Sequence, residues 1–215
     1  MNIELIAYTQ GNPKTYNYAG PTDVCALAAS QCYDSEPSKT KVKVCIAQGH
    51  ESIIEHASFT FLFEGVSRAF LAQITRHRMA SYSVRSQRYC GEENFDYEQP
   101  PTIFEHPEDD VVEAYHTFME QCSKMYKYFR DKGIPKEDAR FVLPNACTTH
   151  MVVTMNARSL RNFFKLRLDK HAQWEIRMVA GRMFDLLLKV APDLFEDLAC
   201  KNFVTGEYKL IKEEK

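Results

Sequence analysis

No run of about 18 or more apolar residues occurs in the chain, so no segment has the pattern of a membrane-spanning helix. The opening MNIELIAYTQGNPK lacks a basic start followed by a long apolar stretch, so it does not read as a secretory leader. There is no CxxC pair. Seven cysteines (25, 32, 45, 90, 122, 147, 200) form an odd set scattered through apolar or helical stretches. They are expected to be reduced thiols of a cytoplasmic protein, mostly small core residues. Cys90, next to Arg88 and Tyr89, is expected to be inert as well. The glycine-rich phosphate loops GxGxxG and GxxxxGK[ST] are missing, which removes the usual sequence cues for nucleotide binding. His50-Glu51 begins like HExxH, but Ile54 stands where the second histidine belongs, and His50 and His56 do not match a metal spacing. No metal site is expected. No GxSxG precedes a serine, so an esterase-type nucleophile is not expected either.

What is present is an ordinary globular composition, with 45% apolar and 26% charged residues, 14 Phe and 11 Tyr in 215 residues. No repeat, low-complexity tract or Gly/Ser linker divides it, so residues 1–215 are expected to form a single domain. The formal net charge is −2, too small to drive the molecule as a whole onto nucleic acid or an anionic membrane. Charge is nevertheless segregated. Gly65–Gly91 holds five arginines and no acid, while acids gather in Glu92–Glu113. Any anion site must therefore be local.

Hydrophobic spacing gives the elements. Asn2–Tyr8 reads as a strand, and Pro21–Cys32 and Lys39–Ala47 read as short helices, the second stopped by Gly49. Phe59, Phe61 and Phe63 alternate as one face of a strand, and Ser67–Arg76 resumes helical spacing. Glu108–Lys132 is the clearest helix, with Val111, Tyr115, Phe118, Met119, Cys122, Met125, Tyr126 and Phe129 at three- and four-residue steps. A short helix is expected at Pro135–Phe141, then a strand at Thr148–Met155. A helix Ala157–Leu168 capped by Asn156 and a last long helix from Trp174 through Leu188 follow. Helices dominate without βαβ alternation. The expected class is α+β, a mostly helical domain with a small antiparallel-rich sheet.

The stretch RHRMASYSVRSQRY, Arg76–Tyr89, places four arginines and a histidine in fourteen residues without a carboxylate. Such charges repel unless an anion, carbonyls or acids distant in sequence lie between them, and a guanidinium fork matches phosphate bidentately. The interleaved Ser81, Tyr82, Ser83, Ser86, Gln87 and Tyr89 offer neutral donors and acceptors suited to a sugar, a base or a flavin ring. A second stripe, Arg158, Asn162 and Lys165, is expected on one face of the helix that begins after Asn156, where free backbone N–H groups also favour an anion.

Arg76-His77-Arg78, seven intervening residues and Ser86 closely resemble the RHRX7S signature of the flavin-dependent thymidylate synthases. GHESIIEH (Gly49–His56), Gln73, SQRY (Ser86–Tyr89), EDARFVLP (Glu137–Pro144) and NARSLRNFFKLRLDKHAQWEIR (Asn156–Arg177) extend the resemblance over most of the chain in the family's order. It implies the thymidylate synthase-complementing type of fold and an FAD enzyme that converts dUMP to dTMP. The one-carbon donor would be 5,10-methylenetetrahydrofolate and the reductant NADPH, in a homotetramer whose active sites draw on more than one subunit. Carried over by position, Ser52, Glu55, Arg76, His77, Arg78, Asn156, Arg158, Asn162 and His171 would hold FAD. Gln73, Arg76, Ser86, Gln87, Arg88 and Arg140 would bind dUMP, together with Arg167, which would activate the uracil ring through N3. Ser86 has no evident base beside it, and the resemblance favours a binding role. Many members carry Asn-Glu where this chain has Ser83-Val84 followed by Arg85, so that glutamate's side-chain contacts do not carry over. His50 is expected to neighbour the flavin ring.

Two other classes compete. A nucleic-acid-binding module would put Arg76, Arg78, Arg85 and Arg88 on phosphates and Tyr82 and Tyr89 on bases, with steep salt dependence; the net charge of −2 argues against it. A non-catalytic family member is disfavoured by the presence of Arg140 and Arg167.

Overall fold

A computed structural model describes residues 1–14, 20–32 and 34–211. Strand β1 (Asn2–Tyr8) and helices α1 (Pro21–Cys32) and α2 (Lys39–Ala47) lie where the spacing puts them. After a 3-10 turn at Glu51–His56 come β2 (Ser58–Ser67), α3 (Arg68–Ile74) and β3 (Ala80–Val84). Then follow α4 (Pro101–Phe104), α5 (Asp109–Asp131), α6 (Lys136–Ala139) and β4 (Thr148–Asn156). Helices α7 (Ala157–Arg167) and α8 (Trp174–Val190) precede a short antiparallel hairpin of β5 (Ala199–Lys201) and β6 (Tyr208–Leu210). A four-stranded antiparallel sheet has the order β1-β2-β4-β3, which gives the expected α+β class. No helix among the described residues is long and apolar enough to cross a membrane.

The chain resolves into two compact units, Met1–Asn2 with Phe63–Gln73 and Ser83–Met151, and Ile3–Leu62 with Ile74–Tyr82 and Val152–Lys215. In the first, Phe63 packs on Phe70 with ring centroids 5.9 Å apart. Helix α5 buries Met119, Cys122 and Tyr126 there and is stitched to the preceding loop by Tyr115 donating to the Glu98 carbonyl (2.6 Å) and Ser123 to the Glu93 carbonyl (2.7 Å). The apolar repeat of α5 is wider than its buried face, since Phe118 and Met125 are exposed. Gly65 is needed for its backbone: φ is +68°, and a Cβ would stand 3.2 Å from the Met1 nitrogen.

The second unit has an aromatic core. Phe164 of α7 meets Phe184 of α8 edge-on at 5.0 Å and Phe195 at 5.9 Å, while Phe59 of β2 meets Phe195 at 5.7 Å. Phe163 and Phe164 sit side by side on α7 and are both fully buried, which fixes the rotation of that helix. Arg161 is only 3% exposed and is held by Asp197, Glu51 and the Leu194 carbonyl, so it belongs to the core of this unit. Of the seven cysteines, all free, Cys25, Cys45, Cys122 and Cys147 are buried, Cys90 is half-buried, and Cys32 and Cys200 are exposed. Burial pushes the Cys25 and Cys147 thiols up to about 12, so both stay protonated and inert.

Candidate functional site

Within the second unit lies a cavity of about 610 Å³, a size suited to a cofactor-scale ligand. Three segments build it. The 3-10 turn Glu51–His56 supplies Glu55, the turn and link between α3 and β3 supply Arg76, His77, Arg78 and Met79, and α7 with its cap supplies Asn156, Arg158, Ser159, Asn162, Leu166 and Arg167. Four arginines thus face one carboxylate. That carboxylate is Glu55, which Arg158 already engages at 2.6 Å. No carboxylate among the described residues pairs with Arg76 or Arg78, so the cavity holds uncompensated positive charge that an anion would satisfy.

Helix α7 is aimed by its first residue. Asn156 has an extended backbone (φ −79°, ψ 166°), and its Oδ1 accepts the Ser159 N–H at 2.8 Å, so it caps the helix while lining the cavity. The cap and the place in the cavity wall separate by substitution. Asn156→Ala is expected to lower the unfolding free energy by about 1 kcal/mol. Asn156→Asp keeps the cap, so it should unfold like the wild type while weakening any anion in the cavity. A urea melt of Asn156→Asp as depressed as that of Asn156→Ala would refute the capping role.

Along α7 the lining face differs from the expected stripe. At about 100° per residue, Arg158, Asn162 and Lys165 fall within about 60° of one another on the helix, but Lys165 is outside the lining set, while Ser159 and Leu166 belong to it. Lys165 shares the helix face of Arg158, as expected, but does not line the cavity. Ser159, Leu166 and Met79 are the lining residues that sequence reasoning passed over, though Leu166 is one turn beyond Asn162. Met79 and Leu166 are 77% and 54% exposed, apolar side chains on a polar wall.

Arg167 ends α7, where a cation is favoured by the helix dipole. Its Nε–H donates to His77 Nε2 at 3.0 Å. Burial first, and the like charge of Arg76 second, hold Arg167 below its usual value. Burial and the Arg167 cation drive the His77 imidazole down to about 4, so the ring is neutral near pH 7, with Nε2 as acceptor and the proton on Nδ1. Among the described residues, no group of three His, Cys, Asp or Glu side chains is placed to hold a metal ion.

Two of the residues assigned to FAD by resemblance, and His50, expected beside the flavin ring, stand differently. Ser52 is exposed on the same 3-10 turn as Glu55, three residues earlier and hence on the same side, but outside the cavity lining. His171 is exposed and hydrogen-bonded to Asp169 at 2.8 Å, and His50 is exposed just before the 3-10 turn; neither lines the cavity. Glu55, Arg76, His77, Arg78, Asn156, Arg158, Asn162 and Arg167 are brought together.

The remaining residues assigned to dUMP lie in the first unit. Gln73 is on α3, while Ser86, Gln87 and Arg88 form a turn closed by the Cys90 N–H on the Ser86 carbonyl at 2.9 Å. Arg88 pairs with the Glu137 carboxylate at 3.0 Å, Arg140 Nε donates to the Glu137 carbonyl at 3.0 Å, and Lys136 reaches the Tyr89 carbonyl at 2.9 Å. Glu137 therefore gathers Arg88 and Arg140. At the departure from the family pattern, Arg85 pairs with Glu92 and donates to the Gly91 carbonyl at 2.9 Å. Its own N–H and C=O are taken by the His150 carbonyl and by Arg68. Arg85 and Arg88 are thus paired with acids outside the arginine run, whereas Arg76 and Arg78 face the cavity.

Known proteins give the same picture from another direction. The family described as Thymidylate synthase complementing protein matches residues 14–193. The chain is 45% identical over 220 residues to the flavin-dependent thymidylate synthase of Nitratidesulfovibrio vulgaris, covering 93% of this chain and 87% of that one. It is 42% identical over 191 residues to the protein of the same name from Geobacter sulfurreducens, covering 82% of each, and 38% identical over 217 residues to that of Sulfurisphaera tokodaii, covering 96% and 83%. With a match of this extent around an arginine-lined cavity, the chain belongs to the flavin-dependent thymidylate synthases, a family of enzymes.

Proposed function

We propose that the protein makes dTMP from dUMP by reductive methylation, with FAD bound in the cavity of the second unit, 5,10-methylenetetrahydrofolate as carbon donor and NADPH as reductant. The observation that carries this reading is the convergence of Arg76, Arg78, Asn156, Arg158, Asn162 and Arg167 on one cavity. The residues present fit a flavin nucleotide: the Arg76 and Arg78 guanidiniums for its phosphates, amide side chains for the polar edge of its ring, and Met79 and Leu166 for an apolar face. When bound, the flavin supplies the redox chemistry.

The chain's own residues supply position and charge. Arg76 and Arg78 hold phosphate, Asn156 and Asn162 meet the ring edge, and Glu55, fixed by Arg158, offers an acceptor to hydroxyl groups. His77 lines the same cavity. Ser52 and His171 are kept as FAD contacts of the assembled homotetramer, whose active sites draw on more than one subunit. Gln73, Ser86, Gln87, Arg88 and Arg140 bind dUMP together with Arg76. A phosphate would compete with Glu137 for Arg88, replacing one anionic partner by another. Arg167 lies beside uracil N3 and its flanking carbonyls, where a fixed cation stabilises the ring anion and makes C5 nucleophilic. The purified protein supplied with FAD should show a bound flavin absorption band that NADPH bleaches. The band should return, with dTMP formed, when dUMP and methylenetetrahydrofolate are added. A colourless protein that ignores added FAD would overturn the proposal in favour of the nucleic-acid reading.

A further inference from the structure

We infer that Tyr82 and His77 are positioning residues for Arg167: the Tyr82 hydroxyl fixes the turn that carries His77, and His77 Nε2 fixes the guanidinium. This rests on the reading of Arg167 as the group that activates uracil. Tyr82 is one of the seven residues between Arg78 and Ser86, and it carries no role in that reading.

Three contacts in the second unit make the relay. The Tyr82 hydroxyl stands 2.7 Å from the Ile74 carbonyl and 2.8 Å from the His77 carbonyl, so one donor serves both ends of the turn Ile74–His77. The His77 N–H closes the same turn on the Ile74 carbonyl at 3.0 Å. Burial pushes the Tyr82 phenol up to about 12, so it keeps the proton it donates. The turn presents the His77 ring edge-on to Phe163, with centroids 5.0 Å apart and planes at 72°. Phe163 is fully buried on α7, so the imidazole is set against a rigid wall. Its Nε2 then accepts from Arg167 Nε–H at 3.0 Å.

The arrangement works only with a neutral ring, because an imidazolium has no acceptor to offer. The charged groups lining the same cavity, Arg76, Arg78, Arg158, Arg167 and Glu55, are four cations to one anion and favour the neutral form. Holding the Arg167 guanidinium by Nε fixes the direction of its planar fork, which an electrostatic role at a developing anion requires.

Tyr82→Phe deletes the hydroxyl alone. It should keep flavin content and the KM for dUMP close to wild type while lowering kcat about tenfold to a hundredfold, the effect of a misplaced catalytic group. His77→Phe keeps the ring against Phe163 without the acceptor and should lose more, and His77→Gln, whose amide oxygen can accept from Arg167, should recover part of it. A readout independent of activity is the His77 titration by NMR in purified protein without dUMP. It should lie near 4 in the wild type and move up toward the ordinary histidine value in Arg167→Ala, because a neighbouring cation has been removed. Wild-type kcat in Tyr82→Phe, or a His77 titration that Arg167→Ala does not move, would overturn the inference. Full turnover by Arg167→Ala would overturn the role of Arg167 and this inference with it. Loss of turnover in Arg167→Ala with an unaltered Tyr82→Phe would overturn the inference alone.

Discussion

Arg167→Ala should retain its flavin and lose dTMP formation by about 10²–10³-fold, the size of effect seen when a preorganised charge stabiliser is removed. The two halves of the expectation come from opposite ends of α7. That helix rises about 1.5 Å per residue, so Arg167 stands roughly 16 Å along the axis from the capped end at Asn156. Arg76 and Arg78, which carry no carboxylate partner among the described residues, remain to hold phosphate when Arg167 is gone. What disappears is the cation that burial and the neighbouring Arg76 make costly to keep without an anion. Arg167→Lys should rescue little. An ammonium is a point charge without a planar fork, and a lysine chain cannot donate to His77 in the Nε geometry. The check is steady-state dTMP formation beside the flavin absorbance of the same preparation. Wild-type-like turnover in Arg167→Ala would refute the assignment.

How far the sequence could be read follows from which forces each residue answers to. Pro21–Cys32 and Lys39–Ala47 are legible because burial of one face imposes a period, and Asn2–Tyr8 because Ile3 and Leu5, half-buried, alternate with exposed residues; the structure has those bounds. Strand β3 was not legible: its five residues ASYSV lie inside the arginine run and none is fully buried, so no core face marks them. The width of the α5 stripe misled for the opposite reason, as Phe118 and Met125 are apolar yet exposed. In the candidate site, motif spacing picked out Arg76, Arg78, Asn156, Arg158, Asn162 and Arg167, which the cavity gathers. It could not show that Arg85 and Arg88 have acids of their own, because Glu137 comes from 49 residues away and neutralises Arg88 through tertiary structure alone. Lys165 marks a finer limit: it shares the face of Arg158, about 20° away around the helix, yet lies about two turns further along it, where Leu166 and Arg167 line the cavity instead.

Replacing Arg78 tests the other half of the sorting. Arg78→Ala should weaken flavin binding by about 10–100-fold, corresponding to the roughly 1.5–3 kcal/mol of one hydrogen bond made by a charged donor. The effect should exceed that of Arg158→Ala, because the Arg158 guanidinium is already engaged by Glu55 on an exposed stretch, and surface pairs contribute at most about 1 kcal/mol. Arg88→Ala serves as the control: its guanidinium is held by Glu137 in the first unit, so flavin content should not change while dUMP binding falls. Raising the ionic strength should loosen flavin in the wild type more than in Arg78→Ala, since one of the charges that salt screens has been removed. The measurement is the ratio of flavin absorbance to protein after dialysis, followed by titration with FAD at two salt concentrations. An Arg78→Ala protein that keeps a full complement of FAD through dialysis would show that phosphate is held elsewhere, and the division between flavin-holding and nucleotide-holding arginines would have to be redrawn around Arg76 and Arg158.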